Sequence, residues 1–109
     1  MSSDNNLVAL RDTLRDFSAA RGWRVYHTPK NLAMALIVET AELVEHFQWA
    51  TPEESSALSP DKVAEVQDEV ADVLIYLVEL ADALGIDLIE AAHAKIVKNA
   101  LKYPVRPGL

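Results

Sequence analysis

Apolar residues recur along this chain at intervals of three and four, the period of amphipathic helices, and few stretches alternate as strands do. Leu7, Leu10, Leu14 and Phe17 form the first such stripe, behind the capping candidates Ser3 and Asp4, and predict a helix that stops near Gly22. Thr28 followed by Pro29 reads as an N-cap with proline at the first helical position. From Asn31 to about Trp49 no Gly or Pro intervenes, so a second helix is expected. Ser55-Ser56 and Ser59-Pro60 mark the stretch between Trp49 and Asp61 as a loop, in which Thr51-Pro52-Glu53-Glu54 is able to start a short helical turn. Val63, Val66, Val70, Val73, Leu77, Leu80 and Leu84 then set out a third helix, closed by Gly85. Asp87 and Glu90 have the spacing of a capping box and open a fourth, which runs to about Lys102 before Tyr103-Pro104.

The second and third helices should each be on the order of 30 Å long, with a connection of about ten residues that lets them pack antiparallel. The expected fold is all-α, a four-helix bundle-like single domain over residues 1–109. Leu32, Met34, Leu36, Ile37, Val38, Leu43, Val44 and Phe47 spread around most of the second helix, more apolar surface than so short a chain covers, which predicts a homo-oligomer. With no Cys, disulfides, zinc knuckles, iron–sulfur clusters and thiolate chemistry are excluded. A net charge of −7 argues against nucleic acid and anionic membranes as partners. No apolar run approaches the roughly 20 residues of a membrane span. The start, Met1 to Asn6, has neither a basic nor an apolar segment, so the cytoplasm is the expected compartment.

The informative residues are acidic. Glu39 and Glu42 lie three apart on the second helix, and Glu69 and Asp72 repeat that spacing on the third, so each pair projects from one helix face. If the helices are neighbours, four carboxylates converge. A hard cation would neutralise them, and an all-oxygen ligand set suits Mg²⁺, or Mn²⁺ in its place, and with it phosphate chemistry. The competing reading is a solvated acidic face on a non-catalytic helical oligomer. Against it, the pairs lie in or beside the apolar runs Ala35–Val44 and Val70–Leu77, where a solvated face is least expected. Glu45 and Glu65 fall near the carboxylate faces by helical phase. Glu90-Ala91-Ala92-His93 is a single E-x-x-H, whereas a di-iron bundle needs two, and no glycine-rich phosphate loop occurs.

The string from Asn31 to Trp49, followed by Asp68-Glu69-Val70-Ala71-Asp72-Val73-Leu74-Ile75-Tyr76-Leu77, resembles the MazG-like all-α nucleoside triphosphate pyrophosphohydrolases, in particular their dCTP pyrophosphatase branch. The likeness runs from about Trp23 to Pro104. It implies hydrolysis of a nucleoside triphosphate, dCTP or a related pyrimidine deoxynucleotide, to the monophosphate and pyrophosphate, with Mg²⁺ held by Glu39, Glu42, Glu69 and Asp72. Of these four, Glu42 is the candidate for linking metal and attacking water. The match of Trp23 to Leu32, which includes Lys30 and Asn31, implies a nucleotide pocket whose base contacts fall on Trp23, His27, Trp49 and Tyr76. Aromatic residues suit that task because any base stacks on them. The match of Lys95 to Pro104 implies that Lys95, Asn99 and Lys102 hold the β and γ phosphates. It also implies active sites at subunit contacts, in a tetramer rather than a dimer. The related phosphoribosyl-ATP pyrophosphatases stand as the alternative enzyme reading.

Overall fold

A computed structural model describes residues 6–108, so the capping candidates Ser3 and Asp4 lie outside the described residues. Asn6 caps the first helix instead, its side chain accepting a 2.8 Å hydrogen bond from the Ala9 amide at the start of α1 (Leu7–Ala20). A 3₁₀ turn, Arg24–Tyr26, then leads to Thr28, whose hydroxyl oxygen accepts from the Asn31 amide, and Pro29 begins α2 (Pro29–Glu45). Helix α2 ends before the expected Trp49. The amides of His46 and Phe47 turn to the carbonyls of Leu43 and Val44, three residues back, and tighten the last turn.

The expected loop contains an ordered turn of helix, α3 (Pro52–Ser55), held by a reciprocal capping box between Thr51 and Glu54. It makes a fifth α-helix among the described residues, where four were expected. Ser59 caps α4 (Pro60–Leu84), the longest element at 25 residues. Its end depends on Gly85 at φ 67°, a left-handed backbone that lets the Gly85 and Ile86 amides reach back to the carbonyls of Asp82 and Ala81. Asp87 accepts from the Glu90 amide, its half of the expected box, and starts α5 (Leu88–Lys102).

Packing centres on α2 against α4, with α1 also laid on α4. Contacts along the pair run from His46 beside Glu65 and Glu69 to Glu39 beside Asp72 and Tyr76. Numbers rise on one helix as they fall on the other, so the two are antiparallel as expected. Leu32, Val78 and Ala81 are the buried apolar residues, and α5 contributes none. Arg15 of α1 clamps Asp82 of α4 with two nitrogens, Nε at 2.9 Å and Nη2 on the other oxygen.

The helices do not close into a compact bundle within one chain. The radius of gyration is 17.3 Å, against about 13 Å for a compact domain of this length. The accessible surface is 8604 Å², against about 6,000 Å² for a compact monomer of this mass. The apolar stripe expected along α4 therefore splits. Val66, Val73 and Leu80 are partly covered, whereas Val63, Val70, Leu77 and Leu84 are exposed, because α2 and α1 shield only part of the circumference. On α2, Met34, Ile37, Val38 and Val44 are likewise exposed, as the all-round apolar pattern led one to expect.

With so small a core, each member matters. Leu32, 2% exposed, is expected to cost about 2–4 kcal/mol when truncated to Ala, as measured by urea denaturation monitored by circular dichroism. A loss below about 0.5 kcal/mol would mean that this contact does not anchor α2.

Candidate functional site

The covered stripe of α2 runs Leu32, Leu36, Glu39, Leu43, His46, so a carboxylate takes a place where the helical period calls for an apolar side chain. On α4 the facing stripe is Val66, Glu69, Asp72 and Val73, Tyr76, Glu79 and Leu80. Antiparallel packing superimposes the two irregularities. One carboxylate oxygen each of Glu39, Glu69 and Asp72 lies within 4.8 Å of the others, all three residues being half-buried. Glu42 is more exposed and lies close enough to both Glu39 and Glu69 to raise their carboxyls. Of the four acids expected to converge, Glu39, Glu69 and Asp72 meet within that distance and Glu42 lies beside them.

This arrangement is costly without a cation. Burial, then contact with Glu42, then the charges of Asp72 and Glu69 push the Glu39 carboxyl above its usual range. Burial and the neighbouring charges of Glu42 and Asp72 raise Glu69 as well, with His46 opposing. Glu39 Oε2 and Glu69 Oε2 are buried and accept no hydrogen bond from any described residue. Buried carboxylate oxygens are ordinarily paired, so two aimed into one acidic cluster fit a hard cation.

Around the cluster stand Glu65, expected there by helical phase, and His46 and Lys62, which spacing alone did not single out. His46 places Nε2 3.8 Å from Glu69 and Nδ1 3.9 Å from Glu65, and Lys62 reaches Glu65 at 3.5 Å. The clue was present in the four-residue step from Glu42 to His46 and from Glu65 to Glu69, readable only once the register of the helices is known. Glu45, the other acid near by phase, is exposed. Tyr76 lies one turn beyond Asp72. Its phenol is raised by burial and by the charges of Glu39, Glu79 and Asp72.

Beyond Tyr76 the seam opens into a cleft of about 500 Å³ between α1, the 3₁₀ turn and α4, lined by Arg15, Ser18, Arg24, His27, Glu79 and Asp82 among others. Trp23 stands at its corner, 6.3 Å from His27 and edge-on to Phe17 at 5.7 Å. Trp23 and His27 thus meet at this end, while Tyr76 lies on α4 between the cleft and the acidic cluster. Asn31 spends its side chain on the Tyr26 carbonyl and holds the 3₁₀ turn against α2, while Lys30 is exposed. Trp49 is 89% exposed in the turn after α2. Lys95, Asn99 and Lys102 lie on α5, and among the described residues none of them pairs with the carboxylates; Lys102 sits over the Tyr103 ring.

The folded protein retains protons on Glu39 and Glu69 that the unfolded chain releases, so stability in a chelator should fall as pH rises from about 4.3 through the raised values. Glu69→Gln is expected to be as stable as the parent or more so, and to flatten that fall. Urea denaturation in EDTA between about pH 4.5 and 7.5 checks this, and an unchanged slope would contradict it.

Comparison with known proteins follows the same line. Residues 34–109 match the MazG-like family. The chain is similar to proteins named dCTP pyrophosphatase 1, with 42% identity to that of Bos taurus over 95% of the chain and 41% to that of Homo sapiens over 94%. It spans 63% and 62% of their lengths. A crystal structure of a pyrophosphatase from Archaeoglobus fulgidus DSM 4304 superposes with a TM-score of 0.87 at 44% identity, covering 96% of this chain and 98% of that one.

Proposed function

We propose that this chain, which belongs to the MazG-like family, is a Mg²⁺-dependent nucleoside triphosphate pyrophosphohydrolase acting on dCTP or a closely related pyrimidine deoxynucleotide. The observation that carries this reading is the pair of buried, unpartnered oxygens on Glu39 and Glu69 beside Asp72. The names of the relatives, dCTP pyrophosphatase 1 and pyrophosphatase, support the nucleotide and the bond attacked. They favour it over a phosphoribosyl-ATP substrate.

Glu39, Glu42, Glu69 and Asp72 would hold the ion, or Mn²⁺ in its place, which when bound neutralises phosphate charge and lowers the pKa of attacking water. Glu42, more exposed than Glu39, is assigned to orient that water and accept its proton at a carboxylate oxygen. The water oxygen bonds to the α phosphorus, the bridge to the β phosphate breaks, and the monophosphate and pyrophosphate leave. His46 and Glu65 steady Glu69 from behind. Trp23, His27 and Tyr76 receive the nucleoside, with Lys30 and Asn31 at the start of α2 beside them. Trp49, and Lys95, Asn99 and Lys102 for the β and γ phosphates, enter through a neighbouring copy. The exposed apolar faces of α2, α4 and α5 support such an assembly, and the family resemblance favours a tetramer over a dimer.

A panel of nucleotides incubated with Mg²⁺, with products separated chromatographically, tests the reaction. Monophosphate plus pyrophosphate is expected; diphosphate plus orthophosphate, or no turnover, would refute it. Asp72→Asn should abolish hydrolysis and shrink the rise in melting temperature that millimolar Mg²⁺ gives the parent, while Glu53→Gln, outside the cluster, should do neither. An equal Mg²⁺-induced shift in all three proteins would remove Asp72 from the ligand set. Light scattering at micromolar concentration should give a multiple of 12.0 kDa, and an active monomer would contradict the assembly.

A further inference from the structure

Among the described residues Glu79 has no cation within hydrogen-bond distance. Its side chain is 12% exposed, faces the cleft between α1 and α4, and has Oε1 3.2 Å from the Ser18 hydroxyl, which donates to it, and 3.9 Å from His27 Nδ1. Ser18 is the buried polar residue of α1, so its hydroxyl holds Glu79 from the inner side. The neighbouring guanidinium of Arg15 does not serve Glu79, because both oxygens of Asp82 occupy it. A carboxylate costs more to keep in a helix seam than an apolar side chain, and it only accepts hydrogen bonds. Beyond the Ser18 bond it has capacity for a further donor from the cleft.

The position of Glu79 indicates which donor. It lies seven residues beyond Asp72 on the same face of α4, a rise of about 10 Å, with Tyr76 between them. Asp72, Tyr76 and Glu79 follow one another on the covered stripe of α4, so the acidic cluster and the cleft lie along one face of that helix. A nucleotide with its phosphates at the cluster would carry its base past Tyr76 to this carboxylate.

Resting on the nucleotide reading above, we infer that Glu79, positioned by Ser18, accepts a hydrogen bond from the exocyclic amine of the base and makes the site select amine-bearing bases over their oxo counterparts. Cytosine presents an N–H donor at ring position 4. Uracil and thymine present a carbonyl oxygen there, which a carboxylate repels. A hydrogen bond to an ionised acceptor, set against that repulsion, discriminates by about 10- to 100-fold. The Ser18 bond matters because a fixed acceptor discriminates better than a mobile one.

The test is calorimetric binding of the α,β-imido analogues of dCTP and dUTP, with Mg²⁺, to the parent, Glu79→Gln and Glu79→Asp. Gln keeps the shape and still accepts from Ser18, but its amide serves either base; Asp keeps the charge and withdraws it by one methylene. The parent should prefer the dCTP analogue by at least about tenfold, and both variants should bring that preference close to unity. Glu79→Asp carries the test if Glu79→Gln does not fold. A preference that persists in the variants, an equal loss for both analogues, a parent without preference, or failure of both analogues to bind would each overturn the assignment. Turnover of hydrolysable dCTP is read separately. Discrimination between analogues without hydrolysis would remove the enzymatic reading and leave the role of Glu79 standing.

Discussion

The seam between α2 and α4 carries charge where helix packing ordinarily carries hydrocarbon. Glu39, Glu69 and Asp72 occupy covered positions of two facing helices, and their oxygens meet within 4.8 Å of one another. Such a contact is unfavourable twice over, through desolvation and through mutual repulsion, and the upward shifts of Glu39 and Glu69 express both. The protein folds around this defect because apolar packing farther along the same helices, at Leu32, Val78 and Ala81, compensates for it. The acidic centre and the core are neighbouring stretches of one interface.

Helix α1 turns that seam into a cleft with walls. Its Arg15 fixes Asp82, its Ser18 holds Glu79, and Phe17 meets Trp23 at the corner, with Arg21 stacked 3.4 Å over the Phe17 ring. These contacts all fall toward one end of α4, beyond Tyr76. The charged cluster lies at the other side of that tyrosine, where α2 alone faces α4. A ligand with a highly charged end and a planar, hydrogen-bonding end matches this division.

A single chain leaves much of its apolar surface in water. Ile37 on α2, Val70 on α4 and Ile96 on α5 are all at least half exposed, and the large surface for so few residues reflects this. Helix α5 is well capped by Asp87, yet it buries nothing of its own. Capping secures the helix locally, and packing has to come from elsewhere.

Much of this was legible in the chain itself. Proline after Thr28 and after Ser59, the glycine at position 85 and the three-four spacing of Val, Leu and Ile define the long helices, because these are local effects that act within a turn or two. The E-x-x-E and E-x-x-D steps placed each acidic pair on one face for the same reason. The C-terminal end of α2 and the helical turn at Pro52 were less legible, since a tightened last turn and a capping box compete with loop propensity by small margins. Only the tertiary structure decided that α2 and α4 lie in the register that joins Glu39 to Asp72 and His46 to Glu69, that Glu79 meets Ser18 across 61 residues of sequence, and that α5 stands apart. Those facts depend on which faces meet across long stretches of chain, and a local period specifies a face without naming its partner.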